Sequence, residues 1–375
     1  MNGCHWRRLR LGRQSRRIDD RKESADQRSP LQSSSDDHVT NTTCAEWCRA
    51  DPGRYDATMA RALPAQCTKV DAYVRDAKHY GPDRNGYCPC GSLRRARSCH
   101  AAPDGCWIAT DLPPLLDDAR TGFAHPGCYG NASFDCSSKL TREHWLSAKV
   151  IRSLESDGKP AVLSGTTWLQ NQARPLGWKA LGANILCGRH NHALASLDDV
   201  AGDFFRSIRE IQTDLNTDRP KRDIDTFILV SGQVLQLWIL KLLWGAVASQ
   251  SVGVSGTPLA SMRRDTDLRD LSEILWRGSR WPQRWGLYSR PHDIDPSGTP
   301  DSVGILPLSF DGELWGGTVQ FGALELSLAL GSPDPPAVPQ PGSFVFHRSG
   351  SPVEKVIAFA WPEPGHPTVK YRRQA

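Results

Sequence analysis

The sequence lacks an export signal, because its N-terminal segment is rich in arginine and has no apolar stretch of the kind that secretion requires. We therefore expect a cytoplasmic protein. Disulfides do not persist in a reducing cytoplasm, so cysteines that lie close to other Cys or His residues indicate metal binding there. The chain has 11 cysteines, and most of them lie between Cys44 and Cys136.

Also absent is an apolar run long enough to cross a membrane. The best candidate, Phe227–Leu243, contains Gln233, Gln236 and Lys241, and its charge-free part ends at Leu240. This is short of the roughly 20 apolar residues that a bilayer requires. The segment predicts a buried helix instead, and we expect no membrane partner.

Two catalytic signatures are missing as well. The sequence has no Gly-x-x-x-x-Gly-Lys loop, which argues against a nucleotide-driven motor, and no Gly-x-Ser-x-Gly nucleophile elbow. The net charge of +5 is mild for 375 residues. It permits a nucleic-acid partner without requiring one, because a clustered basic face matters more than the total charge.

The length allows two or three compact units, and the composition divides the chain into five segments. The predicted segments are a disordered basic tail (1–43), a cysteine-rich region (44–120), a second Cys/His unit (121–215), a helical and linker region (216–300) and a C-terminal β unit (301–375). In the last segment, short β-type runs separated by Gly, Pro and Asp predict a small antiparallel sheet.

The spacing of apolar residues predicts the main elements. Helices are expected near Arg142–Leu154, over Leu197–Leu215 and within 224–250, and a strand is expected over Ala183–Leu186. Five C-terminal strands are also expected: Val303–Phe310, Leu314–Phe321, Leu324–Leu330, Ser343–His347 and Val356–Trp361.

Residues 88 to 100 contain a set of four groups that zinc prefers. Structural zinc sites are tetrahedral and fill all four positions with Cys or His. Cys88, Cys90, Cys99 and His100 supply such a set. The alternative is a cysteine-rich loop with free thiols.

This segment resembles the SEC-C motif, a zinc knuckle also found at the C-terminus of the preprotein translocase ATPase. The match consists of Cys88-Pro-Cys90-Gly-Ser, a short basic stretch and Cys99-His100, although Leu93 replaces the usual glycine and arginines replace the usual lysines. The resemblance implies an accessory zinc module that contacts a partner protein or nucleic acid and catalyses nothing. Its basic surface beside the metal would consist of Arg94, Arg95 and Arg97.

A second set of candidate ligands lies further along the chain. Cys128 and Cys136 form a loosely spaced pair, and Cys187 and His190 form a pair with the two-residue gap that is typical of zinc knuckles. We therefore expect one or two structural Zn²⁺ ions in this protein.

The region 125–195 resembles the HNH endonuclease family, whose ββα-metal fold often includes a supporting zinc site. The family pattern runs from a Cys pair, through Thr-x-Asp/Glu-His, to an Asn and a Cys-x-x-Cys/His followed by His or Asn. The matching residues here are Leu140-Thr-Arg-Glu143-His144 and Asn184-Ile-Leu-Cys187-Gly-Arg-His190-Asn191. The resemblance implies a ββα-metal (HNH-like) core with flanking helices. Together with the zinc-knuckle region and the small C-terminal antiparallel β unit, this core predicts an α+β protein.

The resemblance also implies roles for single residues. His144 would be the general base that activates water, Glu143 would bind a catalytic divalent metal, and Asn184 would orient the His144 ring. Asn191 would occupy the last metal-ligand position, with His192 as the alternative there. These residue types suit the chemistry, because histidine titrates near neutrality and Mg²⁺ or Mn²⁺ prefers oxygen ligands.

Two features depart from the HNH pattern, namely the wide spacing of Cys136 and the presence of His190 where a Cys is common. They leave two interpretations open. The leading one is a metal-dependent endonuclease that hydrolyses nucleic-acid phosphodiesters, with DNA as the favoured substrate. The alternative is a non-enzymatic zinc-binding adaptor that contacts a protein or nucleic-acid partner.

Overall fold

The computed structural model describes fourteen stretches of the chain, all within the larger of its two compact units, residues 1–13 and 61–375. They are residues 9–12, 88, 94–101, 108–109, 112–155, 160–164, 166–169, 172–217, 227–254, 256–263, 265–289, 300–331, 338–348 and 354–362. The expected ligand Cys90 and most of the predicted N-terminal tail lie outside the described residues, as do Cys44, Cys48, Cys67 and Cys106.

The structure mixes helices and strands in similar measure, as the α+β prediction requires. The five α-helices of the described residues are α1 (Ala148–Leu154), α2 (Gly188–Ala193), α3 (Ala195–Leu215), α4 (Gly232–Ala248) and α5 (Leu268–Arg277). Two of them begin at a side-chain cap, since Ser231 accepts from the Val234 N–H and Asp267 accepts from the Arg269 N–H. Helix α5 ends at Gly278, whose φ of 70° is left-handed and suits glycine.

The longest strands of the described residues lie after residue 300. In chain order, the described strands are β1 (Leu9–Gly12), β2 (Leu140–His144), β3 (Ala161–Ser164), β4 (Arg174–Leu176), β5 (Gly182–Cys187), β6 (Phe227–Ser231), β7 (Gly253–Val254), β8 (Thr257–Pro258), β9 (Ser261–Met262), β10 (Trp285–Ser289), β11 (Ser302–Phe310), β12 (Glu313–Phe321), β13 (Leu324–Leu330), β14 (Val338–Pro339), β15 (Ser343–His347) and β16 (Glu354–Ala360).

The largest sheet joins distant parts of the sequence. Its order is β14-β10-β13-β12-β11-β1-β3-β4, and β9 pairs in parallel with β12. The meander β11-β12-β13 is antiparallel, as the C-terminal pattern predicts. Strand β1 lies between β11 and β3 and hydrogen-bonds to both. Residues 9–12, which lie in the segment predicted to be disordered, thus form a strand, because the facing edges of β3 and β11 offer main-chain partners that a local composition argument does not include.

The other two C-terminal strands belong to a separate three-stranded sheet. Strand β15 pairs antiparallel with β16, and β16 pairs in parallel with β6, so that Ile357 lies opposite Ile228. Strand β6 leads directly into α4. The C-terminal strands are thus connected to the middle of the chain by main-chain hydrogen bonds.

Helix α4 lies at the centre of the core. It is buried along almost its whole length, including Trp238, Leu240 and Leu243. It packs against α3, α5 and strands of the large sheet, so one hydrophobic core extends from Leu116 to Trp361. In the part of the chain that the structure describes, this and every other helix is too short or too polar to traverse a lipid bilayer.

The region after Cys136 differs from the expectation of one helix near Arg142–Leu154. The first half of that segment is strand β2, which pairs antiparallel with β5, and only Ala148–Leu154 is helical. Helix α2 follows β5 without a break. Two antiparallel strands and a helix therefore frame the residues that the sequence singles out.

Candidate metal centres and the adjoining polar site

Cys128, Cys136, Cys187 and His190 come together in one buried cluster, as their pairing in the sequence predicts. Their ligand atoms all lie within 4.8 Å of one another. The first two cysteines lie in the loop before β2, Cys187 ends β5, and His190 lies on α2. The two-residue gap between the last pair lets one turn of α2 direct the imidazole towards the Cys187 sulfur.

The distances within the cluster suit a tetrahedral metal ion. His190 Nδ1 lies 3.4 Å from the Sγ of Cys128, 3.8 Å from that of Cys136 and 3.3 Å from that of Cys187. A tetrahedral zinc with Zn–S near 2.3 Å and Zn–N near 2.0–2.1 Å places its nitrogen and sulfur ligands about 3.6 Å apart. The four groups are therefore spaced as ligands of one small cation.

The pKa values of the three thiols bear on cation binding. The hydrogen bond from Cys128, together with those from His190, lowers the pKa of the Cys187 thiol to about 2. The same shared proton raises the pKa of Cys128, and burial raises that of Cys136. The pKa of Cys187 is thus shifted in the opposite direction to those of Cys128 and Cys136. A divalent cation would stabilise all three as thiolates.

Outer contacts orient the histidine of this cluster. The Trp276 ring lies over the His190 ring at a centroid distance of 4.3 Å, and its N–H donates to the His190 carbonyl oxygen. Ser133 Oγ lies 3.4 Å from His190 Nε2. Gly130 is packed so closely that a Cβ there would come within 2.7 Å of the Trp276 ring. The imidazole that would bind the metal is thus held by the Trp276 ring and by Ser133.

A charged network holds the loop that contains Cys128 and Cys136. Asp135, which is 1% exposed, forms ion pairs with Arg189 of α2 and with Arg277 at the end of α5. Arg189 also pairs with Asp118. The carboxylate of Asp135 therefore connects the cysteine loop to two helices.

The first predicted knuckle is also assembled in part. The ligand atoms of Cys88, Cys99 and His100 lie within 4.8 Å of one another and are buried. His100 Nδ1 is 3.2 Å from the Sγ of Cys88 and 3.1 Å from that of Cys99. Three of the four expected ligands therefore converge, and the fourth, Cys90, lies outside the described residues.

This knuckle packs against the three-stranded sheet. Its cysteines share a small apolar cluster with Leu229 of β6 and with Ala358 and Ala360 of β16. Ile108 forms a parallel bridge with Trp361, and the backbone N–H of Ile108 donates to the carbonyl oxygen of His100. Among the arginines expected to form a basic surface, Arg95 and Arg97 are exposed and Arg94 is half-buried.

Glu143 lies in a buried ion pair. Its carboxylate is 2% exposed and lies 2.6 Å from the ammonium of Lys241, which is fully buried in α4. The same ammonium contacts Asp198 of α3 at 2.8 Å and donates to the His144 carbonyl oxygen. Burial raises the pKa of Glu143 against the opposing effect of Lys241. This placement does not support the metal-ligand role that the HNH resemblance implies for Glu143.

His144 lies next to this ion pair but faces a different neighbour. Its ring lies beside Trp178 with a centroid distance of 5.2 Å, and it is half-buried. Burial, with the nearby charges of Lys241 and Arg142, lowers the pKa of His144. This shift favours the neutral imidazole, which is the form that can accept a proton.

The two expected asparagines lie apart from His144. Asn184 is exposed on β5. The Asn191 amide donates to Thr141 Oγ1 at 2.9 Å and to the Arg142 carbonyl oxygen at 3.2 Å, which ties α2 to β2. Among the described residues, no hydrogen bond links either asparagine to the His144 ring.

Sequence reasoning missed the partners that surround these residues. Lys241 was visible only as an interruption of an apolar run, and nothing in that run indicates that it pairs with Glu143. Trp276 and Asp135 lie in different segments from the ligands that they support. In the sequence, each of these three residues is only a polar or aromatic residue to which no motif assigns a role.

Comparisons with protein-family models, with curated proteins and with solved structures return no match for this chain. The SEC-C and HNH resemblances therefore rest on the residues named above.

Proposed function

We propose that this protein uses the cluster of Cys128, Cys136, Cys187 and His190 as a structural Zn²⁺ site that stabilises a phosphodiester-hydrolysing centre around His144. The observation that supports the zinc site is the spacing of its ligand atoms, with nitrogen-to-sulfur distances of 3.3 to 3.8 Å. All four ligands come from the protein and are buried, which is typical of structural rather than catalytic zinc. The knuckle of Cys88, Cys99 and His100 would hold a second ion.

Metal analysis tests the zinc assignment. We expect two zinc ions per chain in the purified protein, one fewer in Cys187→Ser and one fewer in His100→Ala. The matched control is His192→Ala, which removes an exposed histidine from the same helix as His190 and should keep both ions. Equal zinc content in wild type and Cys187→Ser would contradict the assignment.

The proposed reaction is hydrolysis of nucleic-acid phosphodiesters, with DNA as the favoured substrate. Three features support it. Strand β2, with His144 at its end, pairs antiparallel with β5, and α2 follows β5 directly. This is the order of elements that the HNH resemblance implies. The second feature is the ligand cluster, which joins the end of β5 to α2. The third is His144, which is half-buried beside cationic side chains.

In this proposal His144 takes a proton from the attacking water, and the water oxygen bonds to the phosphorus as the leaving oxygen departs. Asn191 holds α2 against β2 through Thr141 and Arg142. Glu143 pairs with Lys241, whose ammonium donates to the His144 carbonyl oxygen. We therefore assign Glu143 a structural role, which is to hold Lys241 against the backbone of His144. A Mg²⁺ or Mn²⁺ ion, if one takes part, would supply charge neutralisation at the phosphate.

Plasmid nicking tests the reaction. Wild-type protein incubated with supercoiled plasmid and Mg²⁺ or Mn²⁺ should nick it, and His144→Ala should lose the activity while retaining its zinc. The control His347→Ala, at a half-buried histidine of β15 with no assigned role, should retain both properties. Identical residual nicking by wild type and His144→Ala would contradict the enzymatic proposal.

The Glu143–Lys241 pair favours a second candidate, a non-enzymatic zinc-binding adaptor. A fully buried ammonium in contact with the carboxylate leaves Glu143 no free position for a catalytic metal. The adaptor would use the same two zinc sites to hold a surface for a protein or nucleic-acid partner. It predicts full zinc content with no nicking by any variant.

A further inference from the structure

The structure points to a phosphate-binding surface made of Arg142, Arg152 and Lys179 around Trp178, and we propose that it contacts the sugar–phosphate backbone of DNA. All three cationic side chains are exposed. They come from three separate elements, namely β2, α1 and the short turn Trp178–Leu181. The inference rests on the proposed function only in the choice of a nucleic acid as the ligand.

The three cations are gathered by contacts rather than by sequence. The Arg152 guanidinium carbon lies 4.1 Å from the Trp178 ring centre, and Lys179 Nζ lies 5.6 Å from it. Arg142 donates to the Lys179 carbonyl oxygen at 2.5 Å. Cations that share one surface raise its positive electrostatic potential. An anionic ligand would lower that potential.

The charges lack acidic partners in the part of the chain that the structure describes. The ion pairs there involve other basic residues, such as Arg120, Lys149 and Arg189, whereas Arg142, Arg152 and Lys179 contact an indole ring and a carbonyl oxygen. One carboxylate does contact Trp178: Glu155 accepts a hydrogen bond from the backbone N–H of Trp178 at 3.4 Å. The surface therefore keeps a net positive charge available to a polyanion.

One cation is held in place by the backbone. The side chain of Arg142 lies across Gly182, where an added Cβ would come within 2.4 Å of Arg142 Nε and 2.8 Å of its Cγ. The φ of Gly182 is −94°, so alanine suits the backbone. Gly182→Ala would thus displace the Arg142 side chain without changing any charge, which makes it a useful test of position.

The location of the surface is consistent with the proposed reaction. The Trp178 ring that collects the cations also lies beside the His144 ring. The indole thus already has His144, Arg152 and Lys179 as neighbours within the protein, so we assign this surface to phosphate contact and not to base stacking. Recognition of phosphates alone carries no sequence information, and the binding should be independent of sequence.

The experiment measures binding of a short fluorescein-labelled DNA duplex by anisotropy over a range of salt concentrations. Each cation that contacts a phosphate contributes about one unit to the slope of log affinity against log salt. The variant R142Q/R152Q/K179Q should therefore lose about three units of slope. Gly182→Ala should lose part of this. The matched control R269Q/R280Q/R348Q removes three exposed cations elsewhere and should keep the slope.

Three results would overturn the inference: an unchanged slope in the first variant, an equal loss in the control, or binding to vesicles of anionic phospholipid without binding to DNA. Circular dichroism should show that all variants are folded. His144→Ala separates this inference from the reaction, because it should retain the wild-type slope. A chain that binds through the three cations without nicking would contradict only the reaction, and a chain that nicks with an unchanged slope would contradict only this surface.

Discussion

The Trp276 indole covers the His190 imidazole at a centroid distance of 4.3 Å and donates its N–H to the carbonyl oxygen of the same residue at 3.2 Å. Because Trp276 is also almost fully buried, one side chain both fills the core beside α5 and fixes the candidate metal ligand.

Trp276→Ala should therefore lower the free energy of unfolding by about 3–5 kcal/mol, because it leaves a large cavity. Trp276→Phe keeps most of the ring contact and loses only the hydrogen bond, so its cost should be smaller, about 1–3 kcal/mol. Urea unfolding of the zinc-loaded proteins measures both. Equal costs for the two variants would show that ring packing is not the main contribution.

Asp135→Asn should weaken zinc binding at the Cys128–His190 cluster. The substitution removes the negative charge that pairs with Arg189 and Arg277 and so loosens the loop between two ligands. Loss of such an outer contact typically lowers metal affinity by about 10–100-fold. Competition with a chromogenic chelator measures it. The control is Asp117→Asn, an exposed carboxylate in the same loop region, for which we expect wild-type affinity.

Lys241→Met should be strongly destabilising, by about 3–5 kcal/mol, because it leaves the buried Glu143 carboxylate without its cation. Adding Glu143→Leu removes the more deeply buried of the two carboxylates and leaves the partly exposed Asp198. The double variant should then be more stable than Lys241→Met alone, with a coupling energy of about 0.5–3 kcal/mol. Chemical unfolding of the four proteins completes the cycle. Strict additivity would mean that the two side chains do not interact in solution.

The His144 ring should titrate below its ordinary pKa of 6.5 because burial and nearby cations disfavour the imidazolium. For a histidine whose folded-state pKa is lowered, the associated stability is complete above the unfolded pKa and is lost as the pH falls towards the folded one. NMR titration of the ring proton measures the midpoint, and His144→Gln identifies the signal. A midpoint at or above 6.5 would contradict the placement of the ring in a partly buried position near Lys241 and Arg142.

Local patterns predicted the parts of this protein that depend on short distances in sequence. The C-terminal strands, helix α3 and the buried helix α4 follow from apolar spacing, and the pair Cys187/His190 follows from one helical turn. The convergence of this pair with Cys128 and Cys136 was predicted from ligand chemistry and agrees with the described cluster.

Contacts between distant segments were not predictable in the same way. Lys241 reaches the backbone of His144 across 97 residues, and Trp276 reaches His190 across 86. Neither depends on a periodicity or a motif. The parallel pairing of β16 with β6 likewise joins two segments that composition alone assigned to different units.

The apolar cluster that Cys88 and Cys99 share with Leu229, Ala358 and Ala360 has a consequence for protein engineering. A knuckle of this kind cannot be cut out and transplanted as an independent cassette, because part of its apolar packing belongs to β6 and β16, which lie more than a hundred residues further along the chain. A peptide with only the knuckle sequence would expose that packing face to water. The motif is short, but the unit that would have to be transferred with it is the three-stranded sheet.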